Sequence, residues 1–232
     1  MFMPYFFHPL DFLIIIAFLV SLWAQFKVKG NYQKYLEVRA TTNMTGAQVA
    51  RYLLDRRGLY DVGVEPVHGL LSDHYDPIAK KVRLSEGIYH GSSISSIAIA
   101  AHEVGHAYQH ADHYSMLVLR HRMFPVVNIS SGIAPYLILS GFLFNATNLI
   151  GLGIIFFSAV VAFQLVTLPV EFNASSRAKR LLLSEGFIDR TEEKGINKVL
   201  GAAALTYVAA ALISFLQLLK YILIFAGRNN DE

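Results

Sequence analysis

Met123-Phe124-Pro125-Val126-Val127-Asn128-Ile129 opens an apolar run that continues through Ala134-Pro135-Tyr136-Leu137-Ile138-Leu139 and Ile154-Ile155-Phe156-Phe157 to Val170 without one Asp, Glu, Lys or Arg. It is about 47 residues long, enough for two bilayer crossings at ~1.5 Å per helical residue. Asn145-Ala146-Thr147-Asn148 is its only polar break and is read as the turn of a helical hairpin. Two further apolar runs flank it. One goes from Leu10 to Phe26, interrupted by Asp11, Ser21 and Gln25; the other goes from Leu200 to Ala226, with Lys220 placed to snorkel. No basic residue precedes the first run and no small-residue cleavage site follows it, so it reads as an anchor rather than a removed signal peptide. Trp23 and Phe26 beside Lys27 and Lys29 form an interfacial belt.

The composition agrees with four spans. Of 232 residues, 54% are hydrophobic and only 16% charged, against about a quarter charged in a soluble domain; mean hydropathy is +0.41. A net charge of +3 gives no case for nucleic-acid binding. With no cysteine, disulfides, thiolate metal sites and cysteine nucleophiles are excluded together. Basic residues cluster beside particular span ends: Lys27, Lys29, Lys34 and Arg39 after the first, Arg120 and Arg122 before the second, Arg177, Lys179 and Arg180 after the third. The positive-inside rule then puts the two long polar segments in the cytoplasm and both termini outside. The expected organisation is an anchor (1–26), a cytoplasmic part (27–122), a membrane hairpin (123–169), a second cytoplasmic part (170–199), and a last span with a short tail (200–232).

Within 27–122, Thr45-Gly46-Ala47-Gln48 fits a capping box, and Val49, Leu53 and Leu54 follow at helical spacing up to Gly58. Leu70 to Ser85, with Asp76-Pro77 in its middle and alternation in Lys81-Val82-Arg83-Leu84, predicts a β-hairpin. After Gly91, Ser92-Ser93 caps a helix that carries Ala101-His102-Glu103-Val104-Gly105-His106-Ala107. The apolar stretch ahead of His102 is too short to span a bilayer, which separates the motif from intramembrane site-2 proteases.

His102 and His106, four apart on a helix, project from one face and can direct two imidazoles at one Zn²⁺. Glu103, turned by roughly 100° from His102, can reach a water on the metal without ligating it, and serves as general base. The same five residues also occur as surface histidines beside an ordinary helical glutamate, so a third ligand decides the matter. Asp112 follows His106 at metzincin spacing, but Gln109 stands where that arrangement needs glycine. His110 shares the helical face one turn too far along. Glu171, which the topology returns to the same side as His102, is the preferred ligand; Pro169 can re-aim it. Against it stands the plainer role of solvating the end of a span. Residues 171–178 read as an amphipathic helix that ends at Gly186.

With Glu171-Phe172-Asn173-Ala174 after a hydrophobic hairpin, the chain resembles gluzincin membrane proteases of the HtpX and CAAX-protease type. Over nearly its whole length it is more similar to the bacterial YugP-like family of neutral zinc metallopeptidases. The matching pieces are the anchor, Asp73-His74-Tyr75-Asp76-Pro77, Ala101 to Ala107, and Val170 to Ala178. The resemblance implies zinc-dependent peptide hydrolysis at a bacterial plasma membrane. In the HtpX-like pattern an aspartate four residues after the ligand glutamate supports the first histidine; here Ser175 stands there, so Asn173 or a residue outside the motif is left to fill that role. In zincin folds an edge strand pairs with the substrate backbone, and Lys81-Val82-Arg83-Leu84-Ser85 is the candidate here. Arg177, His74 and Tyr75 are the candidates for an oxyanion stabiliser. His8, His68, His90, His113 and His121 are read as loop or interfacial residues.

The fold class expected is therefore a mainly α membrane protein. About four transmembrane helices carry a small cytoplasmic zincin-like α+β domain, whose β-hairpin lies next to the HExxH helix. The expected activity is endoproteolysis with one Zn²⁺ per chain, on membrane-associated or misfolded polypeptides in contact with the bilayer, with room for an accessory protein or a homo-oligomer. A non-catalytic zinc-binding scaffold or regulator is the alternative. A metal transporter is disfavoured, because Asn128, Gln164 and Gln217 in the spans are not ionisable.

Overall fold

The computed structural model describes residues 8–229; the first residues of the anchor, the end of the tail and the outer placement of both termini lie outside them. In chain order the elements are α1 (Pro9–Leu36), α2 (Gly46–Arg56), β1 (Gly63–Val67), β2 (His74–Asp76), β3 (Lys81–Ser85), α3 (Glu86–Tyr89), α4 (Ile94–Ala111), α5 (Ser115–Leu143), α6 (Thr147–Ser184) and α7 (Glu193–Asn229). Four of the described helices, α1, α5, α6 and α7, are long and apolar enough to cross a membrane. The chain divides into two compact units. One takes the described residues of Met1–Trp23, Val118–Pro169 and Thr206–Glu232, the other Ala24–Leu117 and Val170–Leu205.

The first unit is helical and wears its apolar side chains outside. Phe12, Phe18, Phe124, Ile129, Leu139 and Ile155 are all more than half exposed, as expected of surfaces that a bilayer rather than protein covers. The hairpin turn occupies 144–146, and Asn145 takes a left-handed φ of 52°. Lys220 does not snorkel. Its Nζ lies 2.5 Å from Asp11 Oδ1, both side chains about one-fifth exposed, because pairing in an apolar setting is the cheaper way to keep two charges.

The second unit holds a continuous core. The Thr45 side chain accepts from the Gln48 N–H and the Gln48 side chain from the Thr45 N–H, completing the capping box that starts α2. Gly58, at φ 74°, supplies the left-handed residue just past its end. α4 starts on Ser93, whose Oγ accepts from the Ser96 N–H. α4 packs on α2 and on strands β2 and β3, burying Ile97, Ala98, Ala101 and Val104 against Leu53, Leu54, Val82, Leu84 and Ile88.

The sheet departs from expectation. A third strand, β1, pairs in parallel with β3, while β2 pairs with β3 antiparallel, giving the order β1-β3-β2. Lys81–Ser85 is thus the central strand, not the edge expected, paired with β1 along its whole length and with β2 over Lys81–Arg83. Pro66 and the neighbouring turn residues masked β1 in the sequence, since proline weakens a strand reading and is tolerated at an edge. α6 also runs unbroken through Pro169, so the segment 171–178 continues the third span's helix instead of forming its own.

α4 approaches α6 closely at Gly105. A Cβ on Gly105 would stand 2.8 Å from the Ala174 carbonyl oxygen and 3.3 Å from its Cα. Backbone cannot yield as a flexible side chain can, so Gly105→Ala should destabilise the protein by about 1–3 kcal/mol, despite alanine's better helix propensity. A lowered unfolding midpoint in detergent checks this; an unchanged or raised one would show that the two helices have slack.

Candidate metal centre

α4 turns His102 and His106 toward α6, their ring centroids 4.8 Å apart and their planes at 88°. Glu171 Oε2 lies 3.4 Å from His102 Nε2 and 3.6 Å from His106 Nε2. One donor atom from each of the three residues falls within 4.8 Å of the others. In a tetrahedral zinc site with bonds of about 2.0–2.1 Å, adjacent ligand atoms stand roughly 3.3–3.4 Å apart. The measured separations and the two-imidazole, one-carboxylate donor set therefore fit Zn²⁺. The centre is sheltered, with Glu171 4% exposed and Glu103 7%.

The other ring nitrogens are engaged too. His102 Nδ1 is 3.2 Å from Ser175 Oγ, and His106 Nδ1 is 3.0 Å from Gln109 Oε1. Both imidazoles are thereby held by neutral groups, with Nε2 left for the cluster. Burial alone would lower the His106 imidazole; hydrogen bonding and charge from Glu171, together with the charge of Glu103, outweigh it and raise it. Burial pushes the Glu103 carboxyl up. The charges of His102 and His106 oppose that, and those of Asp73 and Glu171 add to it.

The remaining candidates are distributed around this centre. Asp112 is not part of the cluster: its carboxylate is clamped between Arg57 and Arg177, each at 2.5 Å. These guanidiniums hold its carboxyl below the usual range against a smaller opposing effect of burial. Arg177 also donates from Nε to Asn173 Oδ1 at 2.8 Å, which commits it to structure on two sides. His110 Nδ1 meets the Tyr75 hydroxyl at 2.9 Å. His74 is exposed, with Nδ1 2.8 Å from the Ser72 carbonyl. In the central strand, Val82, Leu84 and Ser85 are buried, while Lys81 and Arg83 bind Glu65.

Gln109 was legible only as a glycine that was missing. Its signal was position: three residues after His106, it shares that residue's helical face. Asp73 was likewise unassigned. It accepts from the Ser85 N–H at 2.7 Å and from the Ser85 hydroxyl at 3.0 Å, fixing the start of the β2 arm against β3.

Among the described residues, four helices long and apolar enough to cross a membrane accompany one group of side chains, two partly buried histidines and a buried glutamate, that could hold a metal ion. The chain belongs to the family described as "putative neutral zinc metallopeptidase", whose profile matches residues 10–226. It is 63% identical over 221 residues to the "Putative membrane protease YugP" of Bacillus subtilis (strain 168), covering 95% of this chain and 98% of that protein. No solved structure matches it.

Glu171 and Asp112 are separable by metal content. Glu171→Ala should purify with much less than the one zinc per chain of a single site, whereas Asp112→Asn should retain it. Elemental analysis of the two proteins decides, and zinc lost from Asp112→Asn alone would reverse the assignment.

Proposed function

We propose that the protein is a membrane-embedded zinc metalloprotease that hydrolyses peptide bonds in polypeptides reaching it at the bilayer. The observation that carries this is the meeting of His102, His106 and Glu171 with a buried Glu103 one residue from the first ligand. His102, His106 and Glu171 would hold the ion, which when bound supplies Lewis acidity toward a water and a peptide carbonyl. Glu103 accepts the proton the attacking water loses and returns it to the departing amide nitrogen. With β3 lying between β1 and β2, the edge strand beside α4 is β2, and His74–Asp76 takes over as the strand against which an extended substrate is laid.

The neutral Ser175 behind His102 favours a second reading, a zinc-binding scaffold without turnover. Glu103 weighs against it, since holding a metal does not require a second buried carboxylate. Glu103→Gln separates the two. It should keep zinc and lose activity on an unfolded membrane protein by about 10²–10⁴-fold. Equal inertness of wild type and variant across several substrates would favour the scaffold.

Lys27, Lys29, Lys34 and Arg39, with Arg120, Arg122, Arg177, Lys179 and Arg180, support a cytoplasmic site. Because the chain has no cysteine, Ile78→Cys places a single thiol at a position 96% exposed. An impermeant maleimide should label it in inside-out vesicles and leave it untouched in intact cells; the opposite pattern inverts the topology.

A further inference from the structure

We propose that Gln109 is the positioning residue for His106, fixing its tautomer through a hydrogen-bond chain anchored on Arg177. The proposal rests on the zinc reading above. Gln109 is completely buried, where an amide is tolerated only if its polar ends are satisfied. Its Nε2 donates to the Val170 carbonyl at 2.7 Å and to Asn173 Oδ1 at 3.0 Å, and its Oε1 faces His106 Nδ1 at 3.0 Å.

The direction of each bond follows from one group whose role cannot reverse. Arg177 only donates and does not lose its proton. Its Nε–H on Asn173 therefore turns the asparagine oxygen toward both Arg177 and Gln109. Gln109 then meets two acceptors, Asn173 Oδ1 and the Val170 carbonyl, and must present its amide nitrogen to them. Only its oxygen remains for His106, so His106 carries its proton on Nδ1 and keeps the Nε2 lone pair for the cluster. Asp112, held in turn by Arg57, keeps Arg177 in place.

His102 is held differently. The Ser175 hydroxyl either donates or accepts, so it restrains the ring without dictating which nitrogen is protonated. The two ligands of α4 are therefore unequal, one set by a directional chain and the other merely contacted. The chain also does its work without placing a carboxylate behind His106.

The test uses full-length wild type, Gln109→Met and Asn173→Ala in detergent. Zinc affinity is measured by competition with a chromophoric chelator, the visible spectrum is recorded on the Co²⁺-substituted proteins, and the unfolding midpoint is taken on the metal-free ones. Gln109→Met should weaken zinc binding about 10–100-fold and alter the cobalt spectrum, whatever fall in the metal-free midpoint its lost hydrogen bonds bring. Asn173→Ala, which removes one of the two acceptors that orient the amide while putting a good helix former at a partly exposed site, should shift affinity the same way by a smaller factor. It also decides the matter if Gln109→Met does not fold. Unchanged affinity in the variants overturns the proposal, as does weakened affinity that tracks a fallen metal-free midpoint with an unaltered cobalt spectrum, the mark of a purely structural residue. Wild type that binds no zinc overturns this and the protease reading together. Zinc binding with the Gln109 effect intact but no turnover overturns the protease reading alone.

Discussion

For one ion to be held by two imidazoles on α4 and a carboxylate from α6, 65 to 69 positions apart in the chain, all three would have to reach one point about 2 Å from each. The rest of the second unit is arranged around that demand. Ligand atoms 3.4–3.6 Å apart on two helices require the helix backbones to come closer than ordinary side chains permit. Gly105 facing Ala174 provides this, one residue before the second histidine and three after the ligand glutamate. Ala98, Ala101, Ala174 and Ala178 continue the pattern of small, fully buried residues along the same helices. The larger side chains that give the core its volume, Leu53, Leu54, Leu84 and Ile97, come from α2, the sheet and α4.

The sheet separates two jobs by face. Val64, Val82 and Tyr75 lie in register across the three strands and pack into the core, while Glu65, Arg83 and His74 form the adjacent row. Glu65 binds both Lys81 and Arg83, and Arg83 also binds Asp76, so charges of alternating sign stitch β1, β3 and β2 together on the outer face. Exposed pairs of this kind contribute little energy each. Their use is to fix register: a slip of one residue would exchange the charged row for the apolar one. With register fixed, Asp73 meets Ser85 and Tyr75 meets His110, which holds the β2 arm beside the active helix.

Much of this was legible in the sequence because the signals were local. Apolar runs revealed the four long helices, a capping box the start of α2, and His-x-x-x-His two imidazoles on one face. Glu171 could be chosen because topology, not proximity in the chain, returned it to the histidines. What escaped depended on partners distant in sequence. β1 is short, half-exposed and contains Pro66, so only its pairing with β3 makes it a strand, and that pairing moves Lys81–Ser85 from the edge to the centre. Lys220 looked like an interfacial residue because nothing local shows that Asp11 lies within 2.5 Å of it. The role of Gln109 escaped for the same reason: a buried amide has meaning only once the groups on both of its ends are known.

The support behind the histidines shows why residue type alone understates such a site. A reader of the sequence looks for a carboxylate beside each metal-facing imidazole, finds Ser175, and concludes that support is missing. Yet the physical requirement is a fixed acceptor for an imidazole N–H, and a charge is only one way to meet it. An amide does so equally well if it cannot turn over, and in a buried site the penalty for mispairing it is large enough to prevent that. Gln109 meets the condition because Val170 contributes a backbone acceptor and Asn173 a side-chain one. Asn173 is itself oriented by a guanidinium that Asp112 holds. Neither histidine thus has a carboxylate directly behind it; Asp112 instead holds the arginine that orients Asn173 and, through it, Gln109.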